Sequence, residues 1–198
     1  MLISCVLAAT LSSRPSVPAS SGVALQPVGE VSERVVENLA RNLSTFFGLR
    51  IKVTVLPMRP LPESAYYAPR RRYRAEDLVA FLDHTTSPAV AHVVGITARD
   101  ISAPKGAVAD WGVFGVAKLG GRPGVVSTYR LHAGGVSESV FETRLRRVAA
   151  HELAHSLGLA HCATPHCIMN DAGGSIHSID AATDFCERCK RALAEKLR

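Results

Sequence analysis

Residues 151–167 read HELAHSLGLAHCATPHC, and no other stretch limits so tightly what this chain can fold into. His151 and His155 are four residues apart. On a helix that spacing stacks both imidazoles on one face, where they can share one zinc ion, while Glu152, displaced around the helix, can reach a water on that ion without being a ligand. Gly158 follows three residues after His155, where the helix has to stop in a backbone conformation that glycine tolerates best. The chain can then turn so that His161 points back at the same ion. A histidine on a helix is more often a packed or surface residue than a ligand, and HExxH alone recurs by accident. From the residue frequencies of this chain, however, a chance match to HExxHxxGxxH is expected on the order of once in ten thousand. A zinc site of the catalytic type on His151, His155 and His161 is therefore expected. His84, His92, His132 and His177 have no such spacing and read as structural or exposed.

The cysteines form a second constellation. Four residues separate Cys162 from Cys167, two separate Cys186 from Cys189, and 18 lie between the pairs, spacings that two zinc knuckles use to build a tetrahedral thiolate site. Four cysteines leave no open position on the metal, so this second zinc is expected to be structural, giving two Zn2+ per chain. The rival reading is two disulfides, which need an oxidising compartment. His166 could serve either site, and the GxxH spacing keeps His161 with the first.

The N-terminal segment MLISCVLAATLSSRPSVPASS bears on that choice. It passes from a short apolar run into Ser, Pro and Ala, the composition of a tail or linker, and it lacks the basic residues that precede the apolar run of a secretory signal. Residues 1–21 are accordingly read as a disordered tail or a start placed too far upstream, Cys5 as a bystander, and the protein as cytoplasmic. No apolar stretch approaches the roughly 20 residues that span a bilayer, so no membrane partner is expected. The formal charge of +6 is spread over RRRYR at 70–74, scattered pairs and the C-terminus, and reads as a solvated basic surface. Aromatic residues make up only 6% of the chain, too few for the stacking platforms of single-strand binding knuckles, so nucleic acid is not an expected partner.

From Gly22 onward the hydrophobic pattern is regular. VALQPV alternates as a strand, SERVVENLARNLSTFF places Val35, Val36, Leu39, Leu43 and Phe46 at helical spacing, and RIKVTVL alternates again, a β-α-β start. After a Pro- and Tyr-rich loop over 57–73, AEDLVAFLDH reads as a helix. AHVVGIT, WGVFGVAKL and GVVSTYRL read as strands, the last two as a hairpin. Ser139 and Glu142 form a capping-box pattern at the start of a long helix whose buried stripe is Phe141, Leu145, Val148 and Leu157. With 198 residues the chain is long enough for one sizeable core and short for two. One α/β domain over 22–198 is predicted, a mixed twisted sheet covered by helices, with the active-site helix and a compact C-terminal part stapled by zinc.

HELAHSLGLAH, CATPHCIM and, 16 residues on, CERC together resemble the archaemetzincins, a metzincin family of zinc metallopeptidases. GVALQPVGEV, LPESAYYAPRRRYRAEDL and VFGVAKLGGRPGVVSTYRL are similar to family segments too, so the likeness covers about residues 22–198. The resemblance implies a metzincin-like fold and a peptide or protein substrate. It also implies His151, His155 and His161 on a catalytic zinc, Glu152 as general base and acid, and Cys162, Cys167, Cys186 and Cys189 on a structural zinc. Met169 would lie in the turn that floors the first site, and the strand containing Phe114, Gly115, Val116 and Ala117 would form the cleft's upper rim, where an extended peptide adds by backbone pairing. Read from the residues alone, a two-zinc binding or scaffold protein without turnover stays open.

Overall fold

A computed structural model describes residues 22–48 and 51–197; the expectation for residues 1–21 lies outside them. In chain order the regular elements are β1 (Gly22–Pro27), α1 (Glu33–Phe46), β2 (Lys52–Val55), β3 (Tyr66–Tyr67), β4 (Arg72–Arg74), α2 (Ala75–Thr85), β5 (His92–Thr97), β6 (Ile101–Lys105), β7 (Val108–Val113), β8 (Gly115–Ala117), β9 (Pro123–Ser127), α3 (Glu138–Ser156), α4 (Ile176–Ala181) and α5 (Glu187–Lys196). The main sheet runs β2-β1-β5-β9-β8, with β1 parallel to both β2 and β5, β5 parallel to β9, and β8 antiparallel to β9. This is the mixed sheet that the alternating apolar runs predict, with the helices on its two faces. Val23, Leu25, Val94, Ile96 and Val126 turn toward α1 and α3, while Ala24, Val93 and Val125, one position out of phase, turn toward Leu78 and Leu82 of α2. Strands covered on both faces have no polar side, as parallel strands require.

A second sheet, β3-β4-β6-β7, departs from the sequence reading. Two of its strands are two and three residues long and lie inside the Pro- and Tyr-rich stretch read as loop, too short to show an alternation. WGVFGVAKL, read as one strand, breaks at Phe114: its first part pairs with β6 in the second sheet and its second part with β9 in the first. Phe114 itself is buried in the main core, which turns the chain from one sheet into the other. The hairpin between β8 and β9 is present, but β9 stops at Ser127, whose hydroxyl donates to Arg99 O at 2.6 Å.

Two further expectations need correction. The capping box is not formed: Ser137, not Ser139, occupies the cap position of α3, no side chain caps it, and Glu142 instead accepts a hydrogen bond from Asn38 of α1 at 2.6 Å. Nor is RRRYR simply a solvated face. Arg72 Nε pairs with Asp100 at 2.7 Å, and Asp110 collects Arg70, Arg72 and Arg74 at 3.6, 3.3 and 3.4 Å. Asp100 also takes both Nε and Nη2 of Arg130, at 2.6 and 2.9 Å. One carboxylate thus ties the second sheet to the segment that leaves β9, and a Cβ at Gly112 would lie 2.2 Å from the Arg130 guanidinium and push it from its place.

The Asp100 side chain is 10% exposed, so removing its charge leaves two arginines short of a partner in a region of low dielectric. Asp100→Asn is expected to cost about 3 kcal/mol, a fall of roughly 6–12 °C in Tm for a chain of this size. A melting curve unchanged from the parent's would show that the arginines are adequately solvated without it.

Candidate metal centres and cleft

Helix α3 ends as its sequence demands. Gly158 has φ +90°, its N–H donates to His155 O at 2.8 Å, and the Leu159 N–H reaches back to Ala154 O at 2.9 Å. This is the paired closure of a Schellman turn, which only a residue free to adopt positive φ completes cheaply. Its effect on chemistry is immediate, because the turn delivers Leu159 O to His155 Nδ1 at 2.7 Å. A second carbonyl does the same one turn back: Ile168 O lies 2.7 Å from His151 Nδ1. A carbonyl only accepts, so each Nδ1 must carry the proton and each Nε2 must present a lone pair.

Those two Nε2 atoms are 2.9 Å apart. Two lone pairs at that distance repel and cannot hydrogen-bond, so a cation between them is what the arrangement fits. His161 completes the cluster: its ring centroid is 5.3 Å from that of His151 and 4.7 Å from that of His155, and one ligand atom from each of the three lies within 4.8 Å of the others. Burial pushes the His151 imidazole down to about 4, the neighbouring His155 ring adding to the effect, and burial also lowers His155. Both are neutral at pH 7, the form that ligates metal.

Glu152 borders the same cleft as the histidines, and it is 6% exposed. Burial raises its carboxyl to about 8. A dication held by the three imidazoles would oppose that shift. Gly115 of β8 lies directly over it, since a Cβ there would sit 2.6 Å from Glu152 Oε1. The cavity holds about 270 Å³ between β8, the histidine face of α3 and the segment from Cys167 to Ala182. The strand of Phe114–Ala117 does border it. Arg147, Asn170 and Asp171, which sequence reasoning missed, also line it. Arg147 carried a readable signal, standing four residues before His151; Asn170 and Asp171 did not.

The four cysteines converge separately. Their sulfurs lie within 4.8 Å of one another, with Cys162 to Cys186 at 3.7 Å and Cys167 to Cys189 at 3.8 Å. A disulfide holds its sulfurs about 2.05 Å apart, whereas zinc–sulfur bonds of about 2.3 Å in a tetrahedron separate them by roughly 3.8 Å. All four are free thiols. Backbone N–H groups of Thr164 and Cys186 donate to Cys162 and Cys167 at 3.4 and 3.3 Å, and Arg188 Nη2 donates to Cys162 at 3.2 Å. The Cys162 thiol is lowered to about 6, chiefly by Thr164 and further by Arg188. Met169 is fully buried, and its carbonyl accepts the Cys162 N–H at 2.8 Å. His166, exposed and at φ 60°, turns its Nδ1 to Ala181 O and joins neither cluster. His92 sits 3.2 Å from Ser156 Oγ and His132 stacks on Phe141 at 4.0 Å, structural positions as expected.

The chain is similar to known proteins over nearly its whole described length. The sequence model of Peptidase family M54 matches residues 27–195. The archaemetzincin of Haloarcula marismortui is 32% identical over 177 residues, which is 85% of this chain and 97% of that protein. Crystal structures of the archaemetzincins from Archaeoglobus fulgidus, in complex with malonate, and from Methanopyrus kandleri superpose with TM-scores of 0.73 and 0.75, each at 30% identity. They cover 86% and 91% of this chain and 99% and 98% of theirs.

The contact between Gly115 and Glu152 can be tested on its own. Gly115→Ala puts a methyl group 2.6 Å from the carboxylate oxygen, so a crystal structure of the variant is expected to show Glu152 swung from its position with both histidine carbonyl contacts intact. Glu152 found in place would mean that β8, not the side chain, yields.

Proposed function

The chain belongs to Peptidase family M54, the archaemetzincins, and is a zinc metallopeptidase acting on peptide or protein substrates; on that premise we propose that Glu152 is its general base and acid and that each chain holds two zinc ions, one on His151, His155 and His161 and one on Cys162, Cys167, Cys186 and Cys189. The observation that carries the reading is the pair of Nε2 lone pairs 2.9 Å apart, each fixed by a backbone carbonyl on the far side of its ring. Three imidazoles leave a fourth position open; four thiolates leave none.

Zinc in a three-imidazole site supplies Lewis acidity, bringing the pKa of a water in the open position toward 7 and polarising a carbonyl. Glu152 takes the proton of the attacking water and returns it to the leaving amine. Its burial under β8 keeps bulk water from competing for that proton, and its raised affinity for a proton suits a base that works near neutrality. His151 and His155 stay neutral and oriented through Ile168 O and Leu159 O. β8 is the last strand of its sheet, and among the described residues no strand pairs with its outer edge, so an extended peptide can add there and lay its carbonyl over the histidines.

The reading includes a cytoplasmic location, no membrane and no nucleic acid partner. Four free cysteines gathered at metal-ligating rather than disulfide distance support a reducing compartment. Among the described residues no helix is long and apolar enough to cross a membrane, and most of RRRYR is already engaged by Asp100 and Asp110.

Glutamine at 152 keeps the shape of glutamate but accepts no proton. Glu152→Gln is expected to retain two zinc ions by elemental analysis while peptide hydrolysis falls by about 10² to 10⁴-fold, whereas His155→Ala loses one equivalent. Hydrolysis by Glu152→Gln at the parent rate would rule Glu152 out as the base.

The thiolate site is expected to govern folding instead. Structural zinc contributes on the order of 10 kcal/mol where the apo site is unfolded, so Cys186→Ser should give insoluble or markedly less thermostable protein. A soluble variant with the parent Tm, or a chelator-free preparation holding a single zinc, would remove the second ion from the scheme.

A further inference from the structure

One charged side chain on the cavity wall has no part in this chemistry. Arg147 lies one helical turn before His151 on the same face of α3 and lines the cavity with Val148, Ala172, Ser178 and Ile179. Its Nη1 donates to Ile179 O and Asp180 O, both at 3.2 Å, which fixes the plane of the guanidinium. Its Nε is buried without a partner. Among the described residues it enters no ion pair. The nearby Asp180 carboxylate is held by Arg144, with Nε to Oδ1 and Nη2 to Oδ2 each at 2.7 Å. The other close charge is Arg146, of like sign; burial together with that neighbour lowers the Arg147 pKa, and Asp180 only partly opposes them.

Two other carboxylates border the cavity, and neither compensates Arg147. Glu152 lies under Gly115. Asp171 accepts the Gly173 N–H at 2.7 Å, and the charges that bear on it are those of Lys105, His161 and His151. A half-buried cation with apolar walls and a like-charged neighbour is costly unless an anion completes it. Among the described residues Arg147 Nη2 makes no hydrogen bond, and a guanidinium nitrogen left to donate fits a carboxylate.

We propose that Arg147 binds a carboxylate of the substrate, carried by the residue that enters this cavity beside the scissile bond. The carboxylate is either an Asp or Glu side chain or the C-terminus of a peptide cut one residue from its end. The inference rests on the peptidase reading, because it takes the histidine cluster as the place where the bond is cut. Arg147 is then a specificity residue: it selects substrates and does not enter the bond-breaking step.

Equilibrium binding keeps the two readings apart. Fluorescein-labelled peptides are titrated onto the zinc-loaded full-length chain carrying Glu152→Gln, which reads recognition without turnover. One arm compares C-terminally amidated peptides with Asp, Asn or Ala on either side of the central bond. The other compares peptides that end one residue after that bond as free acid or as amide. Acid is expected to bind at least about tenfold more tightly than its amide in one arm, and the arm that shows it identifies the source. Arg147→Met should bring the ratio to about twofold or less, with Arg147→Lys retaining part of it. Equal binding of acid and amide in both arms overturns the inference with no substitution at Arg147 needed, as does a preference that survives Arg147→Met. Cleavage by the unmodified protein is scored separately: if no sequence is cut, the peptidase mechanism fails, while the acid-to-amide ratio still decides what Arg147 does.

Discussion

Two backbone carbonyls, Leu159 O and Ile168 O, decide what this site can be. Each accepts from the Nδ1 of a histidine at 2.7 Å and so forces the lone pair of that ring to the opposite side, where the two Nε2 atoms meet at 2.9 Å. Without those carbonyls the imidazoles could rotate, exchange tautomers and hydrogen-bond to each other, and HExxH would be two ordinary helix residues. The motif supplies the ring positions, and the backbone beyond the helix supplies their protonation state. That explains why Gly158 is indispensable: a helix continuing past Leu157 would keep the Leu159 carbonyl in its own ladder, out of reach of His155.

The second carbonyl depends in turn on the cysteines. Ile168 stands between Cys167 and Met169, in the loop that the four sulfurs close against α5, and the Cys162 N–H to Met169 O bond at 2.8 Å draws the start of that loop against its end. Asn170 adds hydrogen bonds to Cys162 O and Thr164 O from the same side. A loop lacking this closure would carry Ile168 O on a mobile segment, and His151 would lose its fixed tautomer. The two clusters are therefore not independent. His161 and Cys162 are adjacent in sequence and belong to different clusters, so the geometry of one is transmitted to the other through a single peptide unit.

The site was more legible in the sequence than the fold around it, for a physical reason. Metal ligation imposes fixed spacings on a few rare residue types, and His151, His155, His161 and the four cysteines carry that spacing in plain view; the structure brings each set together. The main sheet was legible too, because strands buried on both faces show as continuous apolar runs. The second sheet was not. Its strand β3 is two residues long, and β4 and the turn before it are tied by arginine–aspartate pairing with Asp100 and Asp110, an interaction between residues about 28 to 40 positions apart that leaves no periodic trace. The same is true of the break at Phe114, where burial of one side chain in the main core outweighs an alternation that would have continued the strand, and of Ser139, whose capping pattern lost to a contact between Glu142 and Asn38 on another helix.

That second sheet also bears on function through its attachment to β8. β7 ends at Val113 and β8 begins at Gly115, so the strand that covers Glu152 is anchored on one side by its ladder to β9 and on the other by the sheet that Asp100 and Asp110 hold together. Gly112 and Gly115 flank this junction, and at each a side chain lies where a Cβ would be, Arg130 in one case and Glu152 in the other. The structural arginine and the carboxylate of the cleft are thus set against the same short stretch of backbone, three residues apart. A shift of β7 would move the cover over Glu152 with it, and exclusion of water from that carboxylate follows from the charge network on the far side of the strand as much as from the helix that carries it.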